Sequence, residues 1–257
     1  MEKPSHTQTA KTNRNGLVTS PSIDVPDDAV KYILFQRTNY LVFPKTKLFK
    51  ILNKLRPGMF YNSAVKLESV LRKENIKQCF IANMLDEYED IKSWLPGNCS
   101  AILDIGCGCG GIDVLLYRHY KCNRSIDFYL LDKTCIDREI HYDFKESGAF
   151  YNSFDITQQL LCQNGIPVEN MHFLEVTPDY RINTNVEIDL VISLLSWGFH
   201  YPVSTYINQV YDLLRQGGYA LIDTRGNTDG KKELEQKFAK VQIISETRKR
   251  ARVLAIK

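Results

Sequence analysis

The chain has 257 residues, 44% hydrophobic and 25% charged, enough for one sizeable core or a core with a small cap, and its composition excludes collagenous, mucin-like and wholly disordered classes. The net charge of +3 is too mild for a protein that coats nucleic acid, so no specific nucleic-acid partner is expected. It is unevenly spread: residues 1–60 carry ten Lys/Arg against four Asp/Glu, a basic leader that suits either an anionic partner or a solubilising tail. The start, MEKPSHTQTAKTNRNG, lacks the apolar stretch of a signal peptide, and no run of about 18 apolar residues predicts a spanning helix. Seven cysteines, none in a CxxC pair and most in apolar surroundings, fit free thiols in a reducing cytoplasm.

In chain order, residues 1–25 are polar and rich in Ser, Thr, Pro and Asn, which predicts a disordered or loosely attached leader. Residues 26–96 read as a helical cap. Asp27 is placed to cap a first helix. KTKLFKILNKLRPG then sets Leu48, Ile51, Leu52 and Leu55 on one face with five Lys/Arg around them, ending at Pro57-Gly58. Residues 45–56 are therefore either a helix for an anionic surface or one packed on the domain with a solvated basic face. Two more helices are predicted over 63–74 and 78–95, before Pro96-Gly97.

From residue 97 the period changes. Strands AILDIG, IDFYLLD, NMHFLEV, VEIDLVISLL and YALIDTR alternate with helices through DVLLYRHY, NSFDITQQLLCQNG, STYINQVYDLLRQGG and KKELEQKFA. That alternation predicts an α/β, doubly wound, mostly parallel sheet over 97–257. KVQIIS and RVLAIK are joined too tightly for a crossover and must pair as a terminal antiparallel hairpin.

The first strand runs into Asp104-Ile105-Gly106-Cys107-Gly108-Cys109-Gly110-Gly111. Gly106, Gly108 and Gly111 spell the dinucleotide pattern GxGxxG, while Gly106, Gly108 and Gly110 spell the GxGxG of an S-adenosylmethionine loop. Asp104, two residues ahead of the loop, would repel a pyrophosphate but welcomes a ligand carrying an ammonium and a sulfonium. Asp132 ends the next strand 22 residues past Gly110, where a carboxylate can bind ribose hydroxyls; this suits either nucleoside. Cys107 and Cys109 have no compact set of His, Cys or Asp partners nearby, so no metal site is expected; they are read as small side chains in a tight turn.

With ILDIGCGCG at 102–110, FYLLD at 128–132, IDLVISLLSWGFHYP at 188–202, LLRQGGYALID at 213–223 and the closing hairpin, the chain resembles the class I S-adenosylmethionine-dependent methyltransferases over roughly residues 78–257. The resemblance implies a Rossmann-like, seven-stranded sheet whose last strand inserts antiparallel beside the fifth. It implies that the methionyl end of S-adenosyl-L-methionine lies against Asp104, Gly106 and Gly108, with Asp132 on the ribose and Lys133 nearby. Glu175 and Thr177 stand in the adenine region, where the family often has an acid, rather than an obvious Asp, so Glu175 is the candidate there, and Ser193 and Leu194 should line the cofactor or methyl-transfer region. DFKESGAFYNSFDITQQLL also looks, more dimly, like bacterial methyltransferases that modify surface polysaccharides and glycans.

His200, in SWGFHYP, sits in a loop at the carboxyl end of a parallel strand, where such sheets form their crevice. It reads either as the general base or as a group that hydrogen-bonds substrate or packs beside Trp197, with Tyr201 placed to assist. Tyr151 and Asn152 are candidates for substrate or cofactor contacts, or for capping and packing. Arg225 is placed to fix a carboxylate or phosphate of the acceptor, or to lie on the surface. His6, His119, His141 and His172 offer no constellation. The stretch SLLSW lacks the Asn/Asp-Pro-Pro-aromatic motif of amino-methylating enzymes and the glutamate pair of protein arginine methyltransferases. The expected reaction is O-methylation of a sugar, glycan or other small-molecule acceptor. A non-catalytic partner of the same fold and an NAD-dependent enzyme are the alternatives. Oligomeric state has no signature in the sequence.

Overall fold

The computed structural model describes residues 22–46, 61–123, 125–136 and 151–257. The leader up to residue 21 and most of the basic segment 45–56 lie outside the described residues.

The helices, in chain order, are α1 (Ala29–Gln36), α2 (Tyr61–Leu71), α3 (Lys73–Ile91), α4 (Gly111–His119), α5 (Phe154–Gln163), α6 (Ile207–Leu213) and α7 (Gly230–Lys237). The strands are β1 (Ala101–Ile105), β2 (Asp127–Asp132), β3 (Cys135–Ile136), β4 (Tyr151–Asn152), β5 (Met171–Glu175), β6 (Ile188–Ser193), β7 (Leu214–Arg225), β8 (Lys240–Glu246) and β9 (Arg250–Ile256). Seven of these form one sheet in the order β5-β2-β1-β6-β7-β9-β8, and β3 with β4 makes a small separate ladder. Strands β5, β2, β1, β6 and β7 run parallel, while β9 is antiparallel to both β7 and β8. The predicted doubly wound sheet and terminal hairpin are thus present, with the last strand inserted beside the fifth strand of the parallel set.

Strand alternation divides the core. Ile102, Phe128, Leu130, Leu190 and Ile192 face α1, α3, α4 and α5, while Leu103, Ile105, Leu131 and Val191 face α6 and α7. The cap is not a separate body: Ile33, Leu34, Val65, Ile76, Phe80 and Met84 share one core with α4, α5 and the sheet. That core reaches further toward the N-terminus than composition suggests. Ile23 and Val25 are buried, and Asn164 of the α5 C-terminus brackets the Asp24 backbone, accepting from its N–H at 2.9 Å and donating to its carbonyl at 2.8 Å. Residues 22–25 therefore belong to the folded body rather than to a loose leader.

Two local expectations give way to tertiary contacts. Asp27 does not cap α1; its carboxylate pairs with Lys73 and Lys77 of α3. The helix expected over 204–218 stops at Leu213, because the chain from Leu214 bonds to the C-terminal strand. Lys257 Nζ donates to the Leu214 carbonyl at 2.7 Å, and the backbones of Gly217, Gly218 and Lys257 exchange bonds at 3.1 Å. A backbone ladder buried against a core strand outweighs the helical preference of a short segment.

One charge network ties the cap to the sheet. Asp223 of β7 lies opposite Arg252 of β9, and Arg252 donates to it from Nε at 2.8 Å and Nη2 at 2.9 Å. Both side chains are fully buried. Arg252 Nη2 also donates to Glu87 of α3, and Arg250 Nη1 reaches the same carboxylate at 3.2 Å. The neighbouring guanidinium holds the Glu87 carboxyl below its ordinary value, against the effect of its own burial. Asp223→Ala is expected to cost about 3–5 kcal/mol in urea unfolding, since it takes the fully buried partner from the Arg252 guanidinium and leaves it to Glu87 and Asp90 at its outer side. A loss under about 1 kcal/mol would show that the clamp is not a determinant of stability.

Candidate functional site

A cavity of about 840 Å³ opens at the carboxyl edge of the parallel strands, at the point between β1 and β6 where the strand order reverses. Its floor is the glycine loop after β1 with Asp132 at the end of β2. One wall is the chain from Leu194 to Tyr201 after β6. Its mouth is formed by Arg225–Asn227 after β7 and by Arg248 and Lys249 in the β8–β9 turn. Phe35–Thr38, at the end of α1, and Phe80 and Met84 of α3 close it from the cap side.

The loop is stapled to the neighbouring strand. The Gly106 N–H donates to the Leu131 carbonyl at 2.7 Å, and the Gly108 N–H donates to Asp132 Oδ2 at 2.8 Å. Asn152 Nδ2 donates both to the Gly108 carbonyl at 2.7 Å and to Asp132 Oδ2 at 3.1 Å, while the Thr157 hydroxyl donates to the same carbonyl at 2.7 Å. Gly106 must be glycine: its φ is +81°, and a Cβ there would stand 1.9 Å from Ser196 Oγ. A Cβ on Gly110 would instead meet Leu161 at 2.9 Å, so this glycine serves the packing of α5 and does not line the cavity. Gly111 faces the cap, where a Cβ would lie 2.5 Å from Phe80.

The floor is acidic. Asp104 lines the cavity, and Asp113, in the first turn of α4, is buried behind it with neither carboxylate oxygen meeting a hydrogen-bond donor among the described residues. Burial pushes both carboxyls up, and the charge of Asp113 adds to the rise at Asp104, so the pair retains a proton. Burial also pushes Asp132 up, to about 6, against the donors from Lys133, Gly108 and Asn152. Asp132 is ionised at neutral pH, and its three accepted hydrogen bonds leave room on Oδ1 for one more donor.

The opposite wall is cationic. Arg225, half-buried, carries its guanidinium 5.9 Å from the Phe199 ring, with a buried Nη1 that meets no hydrogen-bond partner among the described residues. Burial, Arg225 and Arg37 lower the pKa of His200, so its imidazole is neutral at neutral pH and able to accept a proton. Burial holds the Tyr201 phenol well above its ordinary value, so it stays protonated and keeps a hydrogen-bond donor at this wall.

Of the residues singled out from sequence, Asp104, Gly106, Cys107, Gly108, Asp132, Leu194, His200, Tyr201 and Arg225 converge on this cavity. Others do not line it. Ser193 is buried, donating to the Ile105 carbonyl and accepting from the Trp197 N–H, and Trp197 is core with its indole on the Val203 carbonyl. Glu175 is exposed, with Val176 lining the cavity in its place; Lys133 meets Asp132 through its backbone N–H. Asn152 positions the loop and Asp132. Tyr151 is described only as backbone. Burial raises both loop thiols, that of Cys109 to about 12, so neither is ionised. Sequence reasoning missed Asp113, Arg37, Phe80, Met84, Arg248 and Lys249; only Asp113 has a local signal, an acid in the first turn of the helix that follows the loop. Among the described residues no group of three or more His, Cys, Asp or Glu could hold a metal ion, and no helix is long and apolar enough to cross a membrane.

No family model and no curated protein matches the chain. Similar solved structures include a 16S rRNA methyltransferase (RsmC) of T. thermophilus in complex with AdoMet and guanosine, at 16% identity and a TM-score of 0.45 over 68% of this chain and 42% of that one. A precorrin-6y methyltransferase of Geobacter metallireducens aligns at 11% identity and 0.47 over 68% of this chain and 87% of the other. Magnesium protoporphyrin IX methyltransferase (ChlM) of Synechocystis, with bound SAH, aligns at 15% and 0.43 over 71% and 87%. The chain thus spans less than half of the first of these.

The buried acids predict an inverted pH dependence. Asp113 rises from 3.8 to about 7 on folding, so its contribution to stability is present below about pH 4 and is lost as pH rises through about 7. Between about pH 4 and 7, wild-type protein should lose stability relative to Asp113→Asn, by up to about 1.4 kcal/mol per pH unit, and the difference should level off above that. Parallel melting curves of the two proteins would contradict this.

Proposed function

We propose that the protein is an S-adenosyl-L-methionine-dependent methyltransferase that methylates an oxygen of a sugar, glycan or other small-molecule acceptor, in the cytoplasm, where its described cysteines stay free thiols. The observation that carries this is the Asp104–Asp113 pair beneath the glycine loop. Two buried carboxyls without a cation disfavour a pyrophosphate there and favour an ammonium. The antiparallel β9 beside β7 supports the same reading.

The residues present fit the cofactor. Asp104 would hold its ammonium and Asp132 a ribose hydroxyl, Leu131 and Val176 would offer apolar flanks to the adenine, and Arg37, whose charge acts on the Cys109 thiol in the loop, would hold its carboxylate. When bound, the cofactor would supply a methyl carbon made electrophilic by the attached sulfonium, with the sulfur as leaving group. The protein would hold the acceptor in line, with Phe35, Phe80 and Met84 of the cap excluding water. The neutral imidazole of His200 would take the proton of the acceptor hydroxyl as that oxygen is methylated. Tyr201 orients the acceptor as a donor.

S-adenosylhomocysteine should raise the melting temperature and NAD should not; the rise should be larger at pH 8 than at pH 6, because the ammonium repays the ionisation of the acid pair. A rise with NAD alone would overturn the reading in favour of a dehydrogenase, and a rise with neither would favour a non-catalytic partner. In methyl transfer from labelled cofactor to an extract of metabolites and glycans, His200→Ala should lower the rate by about 10²–10⁴-fold with cofactor affinity unchanged. The acidic limb of the wild-type rate should lie below histidine's ordinary 6.5. Full turnover by His200→Ala would remove the base.

A further inference from the structure

We infer that the acceptor carries an anionic group, a carboxylate or a phosphate, which docks on Arg225 with Arg248 and Lys249 at the mouth of the cavity. This deepens the methyltransferase reading and rests on it. The cavity segregates its charge: Asp104 and Asp132 lie on the glycine-loop side, while Arg225, Arg248 and Lys249 lie across from them. The next arginines along the hairpin are spoken for, since Arg250 and Arg252 are paired with Glu87, Asp90 and Asp223. Among the described residues no ion pair engages Arg225, Arg248 or Lys249.

Arg225 is not a loose surface side chain. Its backbone N–H donates to the Gly198 carbonyl at 3.0 Å, and the next N–H, from Gly226, donates to the Lys249 carbonyl at 2.8 Å. A Cβ on Gly226 would stand 2.7 Å from the Arg248 carbonyl oxygen, so the two turns touch and bring the three cations to one edge. The guanidinium lies by Phe199 with Nη1 buried and unpartnered among the described residues, a donor that a ligand's acceptor would satisfy. Its planar fork matches the paired oxygens of a carboxylate or phosphate. His200 lines the same wall, so an anion seated there places the neighbouring hydroxyl of the acceptor against the imidazole and offsets the charge that depresses its basicity.

The test is calorimetric titration of the full chain, with and without saturating S-adenosylhomocysteine, using phenyl phosphate, benzoate and the neutral benzyl alcohol at constant ionic strength. At least one anion should bind tenfold or more tighter than the alcohol, and whichever of the two binds tighter names the group. Arg225→Gln should abolish that preference while keeping the thermal shift with S-adenosylhomocysteine; the double variant Arg248→Gln/Lys249→Gln, at exposed positions, should reduce it at least threefold. Equal binding of anions and alcohol, or a preference that survives both variants, overturns the inference. Failure of S-adenosylhomocysteine to bind wild-type protein overturns the methyltransferase reading instead, and the titration without it still decides the anion site.

Discussion

The carboxylate of Asp223 is the joint on which the molecule is assembled. It takes two N–H bonds from Arg252 across the β7–β9 pair and a third from the Leu195 backbone at 3.2 Å, just where the chain leaves β6. Through Arg252 it reaches Glu87 and so the cap helix α3. One fully buried acid thereby fixes the register of the inserted antiparallel strand, the turn that carries Ser196 to Tyr201, and the seat of the helix whose Phe80 and Met84 close the cavity. A buried pair of this kind adds less net stability than its Coulomb energy suggests, because both ions are desolvated. Its contribution is specificity of assembly, since the seat of α3 places Glu87 on the same guanidinium that Asp223 holds.

The floor of the site departs from that economy. Asp104, Asp113 and Asp132 are all buried, and among the described residues no Lys or Arg forms an ion pair with any of them. Asp132 is compensated by backbone and amide donors, whereas Asp113 has none, so the fold stores unfavourable electrostatics beneath the glycine loop. Stability given up at a ligand site is recovered when a cationic ligand binds. The stapling of Gly106 and Gly108 to β2 keeps that acidic floor in place without it.

Much of the fold was legible in the sequence. Period-2 runs alternating with helical ones give the parallel sheet, and the short connection ETRKRA forces β8 and β9 into a hairpin. The floor was legible too, because Asp104, Gly106, Gly108 and Asp132 are positioned by local strand–turn–helix geometry. What sequence could not resolve depends on distant partners. Ser193 is placed at the cofactor, and Asn152 at a ligand or in packing, by position in the chain alone, but their polar atoms are engaged by Ile105 and by Gly108. Glu175 ends its strand on the solvent side, and the acidic candidate for adenine yields to Val176. The cap supplies Arg37, Phe80 and Met84 from helices whose docking is set by a charge network more than a hundred residues away, which no local pattern encodes.

The two ends of the cavity together give it an electrical direction. An acidic floor and a cationic mouth favour ligands whose cationic end faces the glycine loop and whose anionic end faces the β8–β9 turn. On the proposed reaction, the cationic wall that weakens His200 as a base would also stabilise negative charge developing on an acceptor oxygen, so the wall lowers the pKa of both partners and its effects on the proton transfer between them partly cancel.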